Sequence, residues 1–493
     1  MDEMKAGTEK QAIAAGKRTK IVCTLGPATD AQGVLRRMIL EGMNVARLNF
    51  SHGDHLEHMG RVRMVKELRT ELGIPIPLLL DTKGPEIRIG TFREGKVELE
   101  EGSRFTFTAE ELEGDRQSVS ITYKQLPRLV KSGDRILGDD GMLQFSVIET
   151  DGTRIVTEVI NGGPFSNRKS LNVPGVHLDM PYVSEKDRSD LEFGVRQGFD
   201  FVAASFTRTA RDIEDIRSAL SELGAAKVKI IAKIENAQGV ENIDEIIKSA
   251  DGIMVARGDM GVEIDLVELP RLQKMLIRKT CIAGKHSITA TQMLDSMIKN
   301  PRPTRAETTD VANAVYDGTS AVMLSGETAV GRYPADSVRT MRSIAQRTEQ
   351  DINYKKRFSQ LEGPHGRDVS DAIAHAACTT AHGLDAAAIV VVTSSGSTAR
   401  QISKYRPACP IIAVTDEEPT YRQLALAWGV TPVLGESKYN TDSLFMHAEQ
   451  KALETGFVKE GDLVVFTGGI LVGIPGSTNT LRVKKAERRT VSA

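Results

Sequence analysis

The chain has 493 residues, too many for one ordinary hydrophobic core, so several domains are expected. Its net charge of −2 gives no electrostatic basis for binding nucleic acid or an anionic membrane surface. No apolar run approaches the ~20 residues that cross a bilayer, the polar start lacks a signal-like apolar core, and the four cysteines are scattered without metal-ligand spacing, so the cytoplasm is the expected compartment.

In chain order, apolar strands are predicted at residues 20–25, 45–50 and 77–81, and again at 199–206, 228–235, 252–257, 287–292 and 321–325. Helical patterns lie between the later ones, at 187–197, 209–223, 242–250, 269–283 and 305–316. Eight strands with intervening helices is the count of a (β/α)8 TIM barrel. Between Asp81 and Met180 the pattern changes to β-type alternation with Gly-Asp turns, as at 118–123 and 135–150, which predicts a β domain inserted after the third strand. After a polar linker at 351–368, a second α/β unit is predicted: helix 371–382, strand 387–393, helix 398–405, strand 410–415, a last strand at 463–467 and a Gly-rich tail. The expected division is 1–18 as an extension, 19–84 and 182–350 as the barrel, 85–181 as the inserted β domain, and 351–493 as a C-terminal α/β domain.

Two neighbouring strands end in charge. Lys227-Val-Lys-Ile-Ile-Ala-Lys233-Ile-Glu235 and Gly252-Ile-Met-Val-Ala-Arg257-Gly-Asp259 are nearly continuous apolar runs, as expected of strands buried on both faces. Residues two apart share a face of a strand, so Lys233 should lie beside Glu235, and Arg257 beside Asp259. Burying such charges without a partner is too costly, so each must be paired, metal-bound or functional. Other strand ends repeat the theme: Arg47-Leu-Asn49-Phe-Ser51, Asp81-Thr82-Lys83-Gly84 and Thr289-Ala-Thr291. All are expected to point into one barrel mouth, where α/β barrels place their chemistry. A polar layer closing the barrel would explain Thr289 or Ser51 alone, but not five strands ending this way.

Carboxylates from Glu235 and Asp259 on adjacent strands suit Mg²⁺, which keeps waters and takes other ligands from substrate. Arg47 and Lys233 beside them are the parts of a phosphoryl-transfer site. Asn49, Ser51 and Asp81 supply oxygens with one negative charge between them, which suits a monovalent cation. The alternative is that Asp81 simply pairs with Arg47. Gly258-Asp-Met-Gly261 opens a turn whose N–H groups could hold a carboxylate.

These residues sit in strings that resemble the pyruvate kinase family from Thr19 to Val483. Among them are Lys20-Ile-Val-Cys-Thr-Leu-Gly-Pro-Ala-Thr29, Asn44-Val-Ala-Arg-Leu-Asn-Phe-Ser-His52 and Asp81-Thr-Lys-Gly-Pro-Glu-Ile-Arg88. Lys233-Ile-Glu-Asn236, Met254-Val-Ala-Arg-Gly-Asp259, Ala290-Thr-Gln-Met-Leu294, Pro301-Arg-Pro-Thr-Arg-Ala-Glu307 and Met323-Leu-Ser-Gly-Glu-Thr328 follow in order. The resemblance implies a barrel, a mobile β-barrel lid and a C-terminal regulatory domain, assembled as a homotetramer. It implies phosphoryl transfer from phosphoenolpyruvate to ADP, the last step of glycolysis, with Mg²⁺ (or Mn²⁺) and K⁺.

By the same resemblance, Arg47 holds the substrate phosphate and Lys233 stabilises the phosphoryl group in flight. Glu235 and Asp259 ligate Mg²⁺, while Asn49, Ser51, Asp81 and the Thr82 carbonyl ligate K⁺. Gly258 and Thr291 hold the phosphoenolpyruvate carboxylate, and a water relayed past Thr291 protonates the enolate. Asn49, His52, Arg88 and Lys169 contact the nucleotide. Glu86 is similar to the residue of potassium-dependent members. Ser170 departs from the family, where Gly is usual after the lysine, and so does Asp295, where Glu is frequent.

In the C-terminal domain, Thr393-Ser394-Ser395-Gly396-Ser397-Thr398 links a predicted strand to a predicted helix. Hydroxyls and N–H groups at a helix start can bind an anion or can serve as a plain N-cap. The resemblance implies a phosphorylated allosteric effector there, with Pro475-Gly-Ser-Thr478 as a second loop. His375 and His382 read as packing or surface residues. Two other classes fit part of the pattern: a Mg²⁺-dependent barrel lyase or aldolase handling an enolate, and a sensor built on a decayed kinase. Intact Arg47, Lys233, Glu235 and Asp259 argue against decay.

Overall fold

The computed structural model describes residues 17–178, 180–360, 368–436, 440–469 and 478–488. Residues 475–477 of the second expected effector loop, and much of the expected extension, lie outside these.

The first three strands are β1 (Lys20–Thr24), β2 (Val45–Asn49) and β3 (Leu78–Asp81). Nine short strands follow in the inserted unit: β4 (Ile87–Arg88), β5 (Lys96–Leu99), β6 (Arg104–Thr108), β7 (Ser118–Ser120), β8 (Arg135–Gly138), β9 (Leu143–Thr150), β10 (Arg154–Asn161), β11 (Gly163–Ser166) and β12 (Ser170–Asn172). The barrel resumes with β13 (Phe201–Ala204), β14 (Lys229–Ile234), β15 (Gly252–Ala256), β16 (His286–Ala290) and β17 (Ala321–Leu324). The eight barrel strands close in the order β1-β17-β16-β15-β14-β13-β3-β2, all parallel. Each is mostly apolar and buried nearly throughout, as a strand between a barrel interior and a helical shell must be.

Register fixes which side chains face inward. Val22, Val45, Leu79, Phe201, Ile231, Met254, Ile288 and Ala321 form the interior layer. Continuing that phase toward the carboxyl ends brings in Arg47 and Asn49 on β2, Asp81 on β3, Ser205 after β13, and Lys233 and Glu235 on and after β14. Two expectations fail here. Thr289 lies in the opposite phase to Ile288 and Ala290, and its hydroxyl donates to Thr319 Oγ1 in the outer layer. Arg257 does not share a face with Asp259, because β15 stops at Ala256 and residues Arg257–Glu263 are helical. Successive helical residues turn by ~100°, so a period-two reading past the strand end misplaces the arginine.

In the inserted unit, the sheet order is β4-β12-β8-β9-β10-β6-β7, with β11 and β5 as a separate pair. A bridge between Ile89 and Ile121 joins the two sheet edges, so the sheet curls into a small barrel around Phe105, Phe107, Phe145 and Phe165. The alternating burial of β9 and β10 is the period-two pattern of strands with one face in that core.

The C-terminal unit orders its strands as β20-β19-β18-β21-β22, from β18 (Ala388–Val392), β19 (Ile411–Thr415), β20 (Val430–Leu434), β21 (Leu463–Gly469) and β22 (Thr478–Lys485). β22 is antiparallel to β21 and, like the helix Thr441–Glu454, was not expected. The unit grips the barrel floor. Leu426 joins the barrel's interior layer, Arg422 Nε lies 2.7 Å from Asp200 Oδ1 beside β13, and Lys20 Nζ donates to the Val430 carbonyl at 2.7 Å. His375 stacks on Phe358 and His382 Nε2 accepts the Ala408 N–H, so both histidines are packing residues. No helix among the described residues is long and apolar enough to cross a membrane.

Candidate active site

The inward-facing polar groups at the carboxyl ends of the strands form one connected chain. Arg47 Nε contacts Asp81 Oδ2 at 2.6 Å, and its Nη1 donates to Thr24 Oγ1 at 2.7 Å. Lys233 Nζ contacts the other Asp81 oxygen and Glu235 Oε1, both at 3.0 Å, and donates to Ser205 Oγ at 2.8 Å. The Ser205 hydroxyl lies 3.0 Å from Asp81 Oδ1 and 2.6 Å from the Thr82 carbonyl. Having one proton, it donates to one of these while accepting from Lys233. Glu235 Oε2 accepts the Phe206 N–H at 2.6 Å, and Phe206 takes a left-handed φ of 54°. Asp81 is wholly buried and Glu235 is 1% exposed, so these charges are held out of bulk water.

Electrostatics follow from that burial. Desolvation alone would raise the Asp81 pKa, but Arg47 and Lys233 outweigh it and hold the carboxyl below its ordinary range. Burial would likewise lower Lys233, yet Asp81 and Glu235 hold it charged and above its usual value. Glu235 is different: burial pushes it up to about 8, Lys233 pulls back, and the charge of Asp259 pushes it further. A buried carboxylate as poorly compensated by its own protein as Glu235 fits a divalent cation. Among the described residues no three His, Cys, Asp or Glu side chains converge on a metal position. The mouth thus offers a carboxylate pair, as suits Mg²⁺ or Mn²⁺ that keeps water and substrate ligands.

The expected potassium ligands also cluster. Asn49 is the register partner of Asp81, its Oδ1 accepts the Ser51 N–H at 3.2 Å, and Thr82 follows Asp81 directly. Asp81 does pair with Arg47, but carboxylate and carbonyl oxygens each keep further acceptor capacity, so the set fits a weakly hydrated cation as well.

On the far side of the mouth, the Gly258 N–H donates to Thr291 Oγ1 at 2.7 Å, and Thr291 takes a left-handed φ of 70°. His52 lies on an exposed turn, with its carbonyl accepting from His58 Nε2. Arg88 and Lys169 lie in the inserted unit. Arg88 Nε contacts Glu86 Oε2 at 2.8 Å and its Nη1 donates to the Arg168 carbonyl, while Lys169 Nζ pairs with Asp139 at 2.7 Å. Ser170 is a strand residue opposite Arg88, and the left-handed backbone beside Lys169 falls on Arg168 (φ 58°). Serine at position 170 therefore imposes no backbone strain.

The Thr393–Thr398 stretch is remote from the mouth, between β18 and the helix Ser397–Lys404. Thr393 Oγ1 accepts the Gly396 N–H, Gly396 is left-handed at φ 74°, and Thr398 Oγ1 bonds Thr478 Oγ1. The Ser394 carbonyl accepts from Thr420 Oγ1 at 2.7 Å, and the Ser395 carbonyl from Arg400.

Ser205 and Thr24 were missed in the sequence. Ser205 was legible as a polar residue two positions past inward-facing Ala203. Thr24 was hidden as an ordinary strand threonine.

Clustered cations and paired carboxylates at the mouth of a TIM barrel are the parts of a phosphoryl-transfer site. Residues 16–338 match the pyruvate kinase barrel domain and residues 371–484 the pyruvate kinase alpha/beta domain. The chain is 49% identical over 472 residues to pyruvate kinase of Clostridium acetobutylicum, covering 96% of this chain and all of the relative. It is 50% identical over 469 residues to the pyruvate kinases of Geobacillus stearothermophilus and Bacillus licheniformis, covering 95% of this chain and 80% of each relative. The chain belongs to the pyruvate kinase family, and its reaction is phosphoryl transfer from phosphoenolpyruvate to ADP, giving pyruvate and ATP.

Proposed function

We propose that the chain Arg47–Asp81–Lys233–Glu235 at the barrel mouth carries this transfer, acting on phosphoenolpyruvate and ADP in the cytoplasm. The observation that supports it best is the seating of Lys233 Nζ between two buried carboxylates and Ser205, which fixes an ammonium at the strand ends. Arg47, clamped through Nε by Asp81 and through Nη1 by Thr24, presents Nη2 to the substrate phosphate. Lys233 stabilises the phosphoryl oxygens as charge spreads over them in flight. Mg²⁺ or Mn²⁺ held by Glu235 and Asp259 would add positive charge to the same oxygens. K⁺ held by Asn49, Ser51, Asp81 and the Thr82 carbonyl would add a further positive charge at the mouth.

Gly258 and Thr291 orient the substrate carboxylate. Thr291 is a poor acid, so a water relayed past it protonates the methylene carbon of the leaving enolate. Asn49, His52, Arg88 and Lys169 receive the nucleotide, and the inserted β unit closes as a lid to keep water from taking the phosphoryl group. The Thr393–Thr398 stretch binds a phosphorylated effector through hydroxyls and helix-start N–H groups, and the working unit is a homotetramer. The test is ATP formation from phosphoenolpyruvate and ADP by the purified chain with Mg²⁺ and K⁺, compared with Glu235→Gln and Arg47→Leu. Turnover is expected to collapse in both variants, and its survival in either would remove that residue from the mechanism.

A further inference from the structure

Arg257, read from sequence as a mouth residue, instead lies behind the mouth and grips the backbone that carries Thr291. Its Nη2 donates to the Thr291 carbonyl at 2.7 Å and its Nε to the Ala290 carbonyl at 3.3 Å. Nη1 contacts Asp310 Oδ1 at 2.7 Å on the helix Arg305–Asp317 and Gln273 Oε1 at 3.3 Å on the helix Leu269–Ile282. Met293 Sδ lies 2.9 Å from Nη2. The guanidinium therefore ties the end of β16 to two shell helices.

The grip has a conformational consequence. Thr291 and Gln292 both have positive φ, 70° and 54°. A β-branched residue resists that region, so the turn persists only where its surroundings enforce it. Turning the chain there brings Thr291 Oγ1 against the Gly258 N–H at 2.7 Å and the Ala290 carbonyl at 2.6 Å. Gly258 follows Arg257 directly, so one short segment supplies both the N–H that meets the hydroxyl and the guanidinium that meets the carbonyls.

We propose that Arg257 is a positioning residue for the proton-transfer half of the reaction: its fork on the Ala290 and Thr291 carbonyls holds the strained turn that fixes the Thr291 hydroxyl between the Gly258 N–H and the Ala290 carbonyl, beside the water that protonates the enolate. Arg257 touches no substrate and acts through Thr291, so the inference rests on the reading of Thr291 given above. A lysine cannot replace it, because a point charge cannot span two carbonyls and a carboxylate in one plane.

The test is a double-mutant cycle of Arg257→Lys and Thr291→Ala, read by turnover and by exchange of the pyruvate methyl protons with D₂O. Displacing a reacting group by about an ångström costs up to about a hundredfold, so Arg257→Lys is expected to lower both rates at least about tenfold with the half-saturation for ADP unchanged. In the Thr291→Ala background the same change should alter them less than about twofold, because residues acting as one unit are not additive. Added guanidinium should restore part of the activity of Arg257→Ala but none of that of Thr291→Ala. Asp310→Asn, which loosens the clamp at a more exposed position, should show the same non-additivity at smaller size and serves if Arg257→Lys does not fold. Multiplicative effects, or Arg257→Lys and Asp310→Asn at wild-type rates beside an impaired Thr291→Ala, would overturn the inference. Thr291→Ala at wild-type rates would instead overturn the reading of Thr291.

Discussion

Lys233→Met removes an ammonium from the mouth while keeping the side chain's length and apolar stem. In the wild type, Nζ sits 3.0 Å from Asp81 and from Glu235 and 2.8 Å from Ser205. After the change Asp81 keeps Arg47 at 2.6 Å and Glu235 keeps the Phe206 N–H at 2.6 Å. Asp81 stays paired, but Glu235 loses its cation and keeps one N–H donor, so the stability loss should fall within the ~3–5 kcal/mol typical of a broken buried pair. Catalysis should suffer far more. Losing one cation aimed at developing charge in a water-excluded site costs at least about 3 kcal/mol, over a hundredfold in turnover. Metal affinity should hold or tighten, because the ammonium beside Glu235 no longer opposes a cation. The assays are pyruvate formation in a coupled spectrophotometric reaction and Mn²⁺ binding by electron spin resonance. A variant that keeps more than about a tenth of wild-type turnover would refute the role given to Lys233. Loss of metal binding together with turnover would show that the lysine serves the metal site instead.

Activity should require K⁺, and Glu86→Lys, which puts an ammonium where the 2.8 Å contact to Arg88 now lies, should weaken that requirement; equal rates of the unmodified enzyme in K⁺ and tetramethylammonium salts would contradict it. Replacing Ser397 and Thr398 together by Glu should make the half-saturation for phosphoenolpyruvate insensitive to sugar phosphates and AMP while saturated turnover stays near normal; a parental response would place the effector elsewhere. Leu426→Ala, at a fully buried position in the barrel floor, should cost about 2–5 kcal/mol, read as a lowered melting temperature; an unchanged melting curve would mean the C-terminal unit does not buttress the barrel.

Much of the barrel was legible because strands buried on both faces leave continuous apolar runs that few other elements produce. Lys233 and Glu235 were found the same way, since charge at the end of such a run is conspicuous and period two carries it inward. That rule failed one residue past the end of β15, where the backbone turns helical and Arg257 swings outward. Thr289 failed for a related reason, because alternation gives two phases and only register shows which one faces inward. Ser205 completes the charge chain yet is small and ordinary in sequence. The left-handed turns at Phe206 and Thr291 arise from what the chain meets in space, and the seating of Leu426 in the barrel depends on packing between distant segments. The antiparallel β22 was missed because its polar, weakly alternating sequence resembles a tail.

The most direct single measurement is the transfer itself: purified protein incubated with phosphoenolpyruvate, ADP, Mg²⁺ and K⁺, with ATP and pyruvate followed together. The mechanism predicts equimolar ATP and pyruvate, lost in Lys233→Met and on chelation of the divalent metal. Pyruvate released without ATP, or ATP formed undiminished by Lys233→Met, would contradict it.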